Sequence, residues 1–140
     1  MPLPARATIL IVDDDAITTD TFARILRLEG YDVTTALTCE SGLEQVRTHV
    51  PDAIVLDFRM PLMDGLDFLQ AIRANGVQTP VAIVTGDYFI EADSMNELRQ
   101  LGAETWFKPL WADDLAGLVR KLLRSARSGS DAPPGHRPLS

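Results

Sequence analysis

Asp57 closes the apolar run Ile54-Val55-Leu56 and is followed at once by Phe58-Arg59-Met60-Pro61-Leu62-Met63-Asp64-Gly65, a loop punctuated by proline and glycine. A carboxylate delivered to a strand tip is a candidate nucleophile, and carboxylates take up phosphoryl groups as aspartyl phosphates. Three other apolar runs end in the same manner: residues 9–12 run into Asp13-Asp14-Asp15, residues 81–84 into Thr85-Gly86-Asp87, and Trp106-Phe107 into Lys108-Pro109. Asp57 and a phosphoryl donor are both anionic, so transfer between them requires a cation. Asp13 and Asp14 offer hard oxygen ligands suited to a divalent ion. Lys108 can pair with a phosphoryl oxygen, the Thr85 hydroxyl can donate to another, and Gly86 leaves space for the group. Singly, these residues are ordinary turn formers and punctuation. In this order, at the carboxyl ends of successive apolar runs, they make a kit for phosphoryl and metal chemistry.

Such residues must be positioned by the elements that precede them. Short apolar runs alternate with amphipathic stretches, which points to β-α units on a parallel sheet whose ligand site lies beyond the carboxyl ends of the strands. Strands are predicted over residues 8–12, 32–35, 53–56, 81–84 and 105–107, with a helix after each. In the first helix Thr18, Phe22, Ile25 and Leu26 recur at helical spacing, and Gly30 follows as a C-terminal cap. In the last, Leu115, Leu118, Val119 and Leu122 make one apolar face. Asp113 and Asp114 fill its first turn, and Arg120, Lys121 and Arg124 are placed toward its end, complementing the dipole there. The stretch 91–101 has a thin apolar face of Met95 and Leu98 and should pack lightly. Residues 128–140, rich in Ser, Gly and Pro, read as a disordered tail or linker.

The chain of 140 residues, 46% of them hydrophobic, suits one domain. Its net charge of −7 gives no electrostatic footprint for nucleic acid. A single cysteine, Cys39, excludes an internal disulfide framework and fits a reducing cytoplasm. No signal core or bilayer-length apolar run is present in the 140 residues, so no membrane association is expected. His49 and His136 look like neither metal ligands nor phosphohistidines.

The acidic pair after the first strand, Asp57 with its Met60-Pro61-Leu62-Met63-Asp64-Gly65 sequel, Thr85-Gly86 and Lys108-Pro109 together resemble the receiver domain of two-component response regulators. The likeness covers residues 7–127, leaving 1–6 as an N-terminal extension. It implies a flavodoxin-like, CheY-like doubly wound α/β fold: five parallel strands in the order 2-1-3-4-5 with helices on both faces. It further implies that Asp57 accepts a phosphoryl group from a histidine kinase or histidine phosphotransfer protein. Magnesium or manganese would be held by Asp14, Asp57 and the Arg59 main-chain carbonyl, with Asp13 assisting through water. Lys108 and Thr85 would be the phosphate-pairing lysine and the switch hydroxyl, with a cis peptide bond between Lys108 and Pro109. The domain would catalyse only its own phosphorylation and dephosphorylation, rather than act as an enzyme. It would signal in the cytoplasm to an effector domain or partner protein and could form a homodimer through the face of the last helix.

One departure concerns the readout. The family usually carries an aromatic residue three positions before the lysine, where this chain has Thr105; the segment 102–108 is one residue shorter than usual, so Trp106 could take the aromatic role across a gap. Trp111, at the start of the last helix, is a candidate partner contact, and Phe107 is expected to be buried. Arg59 and Asp87, each two residues past a key site residue, could pair and slow loss of the phosphoryl group. Competing readings are a phosphorylation-independent binding module and a haloacid-dehalogenase-type phosphatase, with Asp13-x-Asp15 as its motif and Asp113-Asp114 as its second acidic pair. A flavin-binding relative fits poorly because the first loop is acidic where a phosphate needs backbone amides.

Overall fold

The computed structural model describes residues 6–131, with side chains through residue 126. Strands Thr8–Val12 (β1), Asp32–Ala36 (β2), Ala53–Leu56 (β3), Val81–Thr85 (β4) and Ala103–Phe107 (β5) alternate with helices Ala16–Leu28 (α1), Cys39–Thr48 (α2), Gly65–Ala74 (α3), Ala92–Gln100 (α4) and Ala112–Asp131 (α5). All strands pair in parallel in the order β2-β1-β3-β4-β5. This is the flavodoxin-like arrangement that the resemblance implied, built from the five β-α units read in the sequence. The chain crosses from β1 to the edge strand β2 and then returns past β1 to β3, so successive connections depart to opposite faces at the β1–β3 boundary.

Strand periodicity divides the core in two. Leu10 and Val12 of β1, Ile54 and Leu56 of β3, and Val81 and Ile83 of β4 face one layer, packing against Val46, Phe68, Leu69, Ile72 and Leu98 of α2, α3 and α4. Their neighbours Ile9, Ile11, Ala53, Val55, Ala82 and Val84 face the other, against Phe22, Ala23, Leu26, Leu115, Leu118, Val119 and Leu122 of α1 and α5. The three central strands are covered on both faces and therefore read as unbroken apolar runs, whereas the edge strands β2 and β5 are only partly buried.

The first helix buries Thr19, Phe22, Ala23 and Leu26, a face turned slightly from the expected one, so that Thr18 and Ile25 sit at its margin. Gly30 follows the cap Glu29 with φ +100°, a left-handed conformation that glycine adopts without steric cost. The fourth helix packs lightly, with Leu98 its one buried residue.

The last helix differs from expectation at its far end. It runs to Asp131, so residues 128–131 of the expected tail are helical, and 132–140 lie outside the described residues, as do 1–5 and His136. Arg120 and Lys121 consequently fall in mid-helix rather than in the last turn. There they reach sideways instead of complementing the dipole, Arg120 to Glu29 at 3.6 Å and Lys121 to Glu104 at 3.1 Å.

Candidate phosphoacceptor and metal site

Sheet register brings the acidic residues together. Val12 is level with Leu56, so Asp13 and Asp57 leave the sheet side by side, joined by an Asp57 N–H to Val12 C=O bond of 2.8 Å. On the other side of β3, Thr85 is level with Phe107, and the Lys108 N–H donates to the Thr85 carbonyl at 2.9 Å. Four residues distant in sequence thereby share one end of the sheet. Beyond Asp57, the Gly65 N–H donates to the Phe58 carbonyl at 2.8 Å, and Asp64 opens α3 with a reciprocal capping box to Asp67. Gly65 lies so close to the backbone that a Cβ there would meet the Asp57 carbonyl oxygen and the Phe58 Cα at 3.0 Å. The glycine thus allows the loop to fold down onto the strand end.

Asp13 and Asp57 are buried and Asp14 is exposed, and carboxylate oxygens of all three lie within 4.8 Å of one another. Lys108 Nζ is 3.0 Å from Asp13 Oδ2 and 3.8 Å from Asp57 Oδ1. Three carboxylates therefore face one ammonium. At this spacing each pair of like charges repels by roughly 4 kcal/mol at an effective dielectric of about 20, so the cluster has a standing deficit of positive charge. Burial pushes the Asp57 carboxyl up to about 6; the Asp13 and Asp14 charges add to the shift and Lys108 opposes it. A hard divalent cation such as magnesium fits this donor set, because its preferred ligands are oxygens and its charge removes the deficit.

Thr85 is buried, and its hydroxyl accepts the Asp87 N–H at 3.0 Å while retaining its own proton to donate. Beyond its chain neighbours, a Cβ at Gly86 would meet nothing within 4 Å, so residue 86 faces open space. Arg59 Nε and Asp87 Oδ2 are paired at 2.5 Å across the mouth, and the Arg59 guanidinium carbon lies 4.8 Å from the centre of the Phe58 ring. Hydrogen bonds from the Phe89 N–H and then from Arg59 hold the Asp87 carboxyl below the usual range. The Lys108-Pro109 bond is cis.

The phosphatase motif does not assemble. Asp15 is the N-cap of α1, accepting from the Thr18 hydroxyl and then from the Ile17 N–H, which hold its carboxyl below the usual range. Its side chain serves helix initiation. Asp113 and Asp114 begin α5, where Asp114 accepts the Trp111 N–H.

The aromatic residues differ most from expectation. Trp106 cannot stand in across a gap for the residue at 105, because strand alternation sends it to the α5 side, where it packs against the core layer containing Leu115 and Val119, with its Nε1–H donating to Glu104. Thr105 faces α4, its hydroxyl 4.0 Å from Met95 Sδ. Phe107, expected to be buried, is 39% exposed. It stacks on Tyr88, centroids 5.0 Å apart and planes inclined by 14°. Trp111 is 70% exposed at the start of α5. Tyr88 was not singled out in the sequence; the only signal was an aromatic residue three positions after Thr85, in a loop without periodicity.

The family model for the response regulator receiver domain matches residues 9–120. The chain is 36% identical over 124 residues to the transcriptional regulatory protein PrrA of Mycobacterium tuberculosis, covering 89% of this chain and 52% of that protein. It is 34% identical over 137 residues to the response regulator MprA of Mycobacterium sp. strain KMS, covering 94% of this chain and 56% of the relative. The chain thus spans about half the length of the curated relatives it matches. Among solved structures, a CheY-like response regulator receiver domain protein from Methanospirillum hungatei superposes with a TM-score of 0.83 at 26% identity, covering 89% of this chain and 99% of the other. NtrX from Brucella abortus superposes with a TM-score of 0.81 at 28% identity, over 91% of this chain and 29% of that one. With the fold, the family model and these relatives in agreement, the chain belongs to the response regulator receiver domain family.

Proposed function

We propose that this chain is the phospho-accepting receiver of a two-component system, with Asp57 as the acceptor. The observation that carries the reading is the convergence of Asp13, Asp14 and Asp57 on one another and of Lys108 on two of them. An Asp57 carboxylate oxygen attacks the phosphorus of a phosphohistidine. The new O–P bond forms as the N–P bond breaks, and the electron pair leaves with the imidazole, which is reprotonated. Asp13, Asp14, Asp57 and the Arg59 main-chain carbonyl are the residues that would hold magnesium or manganese. Bound there, the ion neutralises charge on the incoming phosphoryl oxygens and on the carboxylates. Lys108 neutralises a further phosphoryl oxygen, and the Thr85 hydroxyl proton is available to another. The Arg59–Asp87 pair lies over the mouth and slows hydrolysis by limiting the approach of water.

The donor is a histidine kinase or histidine phosphotransfer protein, and receivers of this kind are signalling modules whose chemistry is confined to their own aspartate. We assign the receiver to residues 7–127, flanked by 1–6 and 128–140. Its output goes to an effector, in the same polypeptide or a separate one; the name and greater length of the PrrA relative support a transcriptional effector. The face of α5 would serve a homodimer, and Trp111 a partner. No helix among the described residues is long and apolar enough to cross a membrane, which is compatible with a cytoplasmic setting. The test is intact mass after incubation with acetyl phosphate, with and without magnesium. A single phosphoryl adduct that requires magnesium and is absent from Asp57→Asn is expected; no adduct from acetyl phosphate or from a phosphorylated kinase would leave a phosphorylation-independent module.

A further inference from the structure

The position where an inward-turning aromatic would report on Thr85 holds Thr105, and Trp106 is committed to the opposite face. A different aromatic pair is wired to both ends of the site. The Tyr88 hydroxyl donates to the Lys108 carbonyl at 2.6 Å, and Lys108 Nζ reaches Asp13 and Asp57. From the other side, the Thr85 hydroxyl holds the Asp87 N–H, and the Asp87 carboxylate holds both Arg59 and the Phe89 N–H at 2.8 Å. Tyr88 is the residue between these two anchors, and its ring rests on Phe107 of β5.

We propose that the Tyr88–Phe107 stack is the switch that couples the phosphoryl state of Asp57 to the surface of this receiver, in place of an aromatic residue at 105. The inference rests on Asp57 phosphorylation as proposed above. A phosphoryl oxygen that takes the Thr85 hydroxyl proton draws that hydroxyl toward Asp57, and the Asp87 N–H bonded to it follows. Gly86, between Thr85 and Asp87, packs against nothing, since a Cβ there would meet no atom within 4 Å beyond its chain neighbours. The pull is transmitted to Tyr88 through one peptide unit. Because the ring is also tethered to the Lys108 carbonyl, the turn moves only by shifting the stack or releasing the hydroxyl. Either event re-presents Phe89, which is 87% exposed on the same turn. The stack holds the arrangement described here, so weakening it favours the shifted one, and by linkage strengthens binding of a phosphoryl mimic.

Tyr31 and Tyr88 are the two tyrosines of the chain, so 3-fluorotyrosine labelling gives two fluorine resonances, assigned with Tyr31→Phe. The full chain is treated with acetyl phosphate and magnesium while intact mass is followed on the same sample. The Tyr88 resonance is expected to move with the adduct and that of Tyr31 to stay, with neither moving in Asp57→Asn. In Phe107→Leu the Tyr88 resonance should start near its phosphorylated position, its displacement on phosphorylation should shrink, and beryllofluoride should bind about 5-fold more tightly. A full adduct with an unmoved Tyr88 overturns the switch and leaves the acceptor reading standing. So does a displacement undiminished in Phe107→Leu, which would be a field effect of the new charge, or an unchanged beryllofluoride affinity. Absence of any adduct overturns the acceptor reading and the switch with it.

Discussion

The ends of β1 and β3 and the ends of β4 and β5 hold the two halves of the site, and they are built differently. Around Asp13 and Asp57 the supporting strands are buried in all but Thr8, and the loop beyond is pinned by the Gly65 amide and a capping box. Around Thr85 and Lys108 one supporting strand is an edge, the following helix buries a single residue, and Tyr88, Phe89 and Phe107 stand in solvent. Phosphoryl transfer needs an acceptor held still, because small misplacements cost rate steeply. A signal needs a region with low local stability that can be displaced. Under the proposed function, the two demands would fall on opposite sides of the boundary between β3 and β4.

The sharpest way to break the comparison is through the core. Ile54→Ala, in the fully buried β3 of the first half, should cost about 3–4 kcal/mol, whereas Phe107→Leu on the exposed side should cost under about 1 kcal/mol; urea denaturation measures both. Equal losses would mean that the edge is as tightly built as the centre. Next, Gly65→Ala forces a Cβ against the Asp57 carbonyl, so phosphorylation by acetyl phosphate should slow by about 10-fold or more as the acceptor is displaced. Gly86→Ala, facing open space, should leave the metal-free protein near wild-type stability.

A pH experiment isolates the charge at the centre. The folded-state pKa of Asp57, about 6, lies above its ordinary value of 3.8, so the folded protein holds this proton more tightly than the unfolded chain. Its contribution is fully present below about pH 4 and is lost as pH rises through 6. Without metal, Asp57→Asn should therefore be more stable than wild type at pH 7 by roughly 1–2 kcal/mol, after discounting for solvent screening. The two should converge near pH 4, and magnesium should close the gap at pH 7. The smallest effect concerns the outer mouth. Loss of the part-exposed pair in Arg59→Ala should shorten the acyl phosphate lifetime by about 1.5-fold to 5-fold, the range equivalent to 0.2–1 kcal/mol. An unchanged lifetime would remove Arg59 and Asp87 from the account of hydrolysis.

The better-buried half was also the more legible. Strands buried on both faces leave unbroken apolar runs, so 8–12 and 53–56 were placed to the residue, and the carboxylates at their ends followed. The edge strand was found late, at 105 rather than Ala103, because its burial is partial and its pattern weak. In such a strand, the run Thr105-Trp106-Phe107 does not say which residues face α4, and a slip of one position reverses the answer. The Tyr88–Phe107 contact joins a loop to a strand 19 residues on and has no local signature. The far end of α5 was hidden differently, since Ser, Gly and Asp at 128–131 suggest a linker while the helix continues through them.

Cys39 gives the protein a built-in clock. Its thiol is buried at the start of α2, donates to the Met63 carbonyl at 3.1 Å, and is pushed up to about 11 by burial and then by the charges of Asp64, Asp67, Asp57 and Asp14. Almost no thiolate exists at neutral pH while the thiol stays buried, so alkylation requires an opening that exposes residue 39. With no other cysteine in the chain, the rate of modification by a thiol reagent reports how often this one thiol becomes exposed.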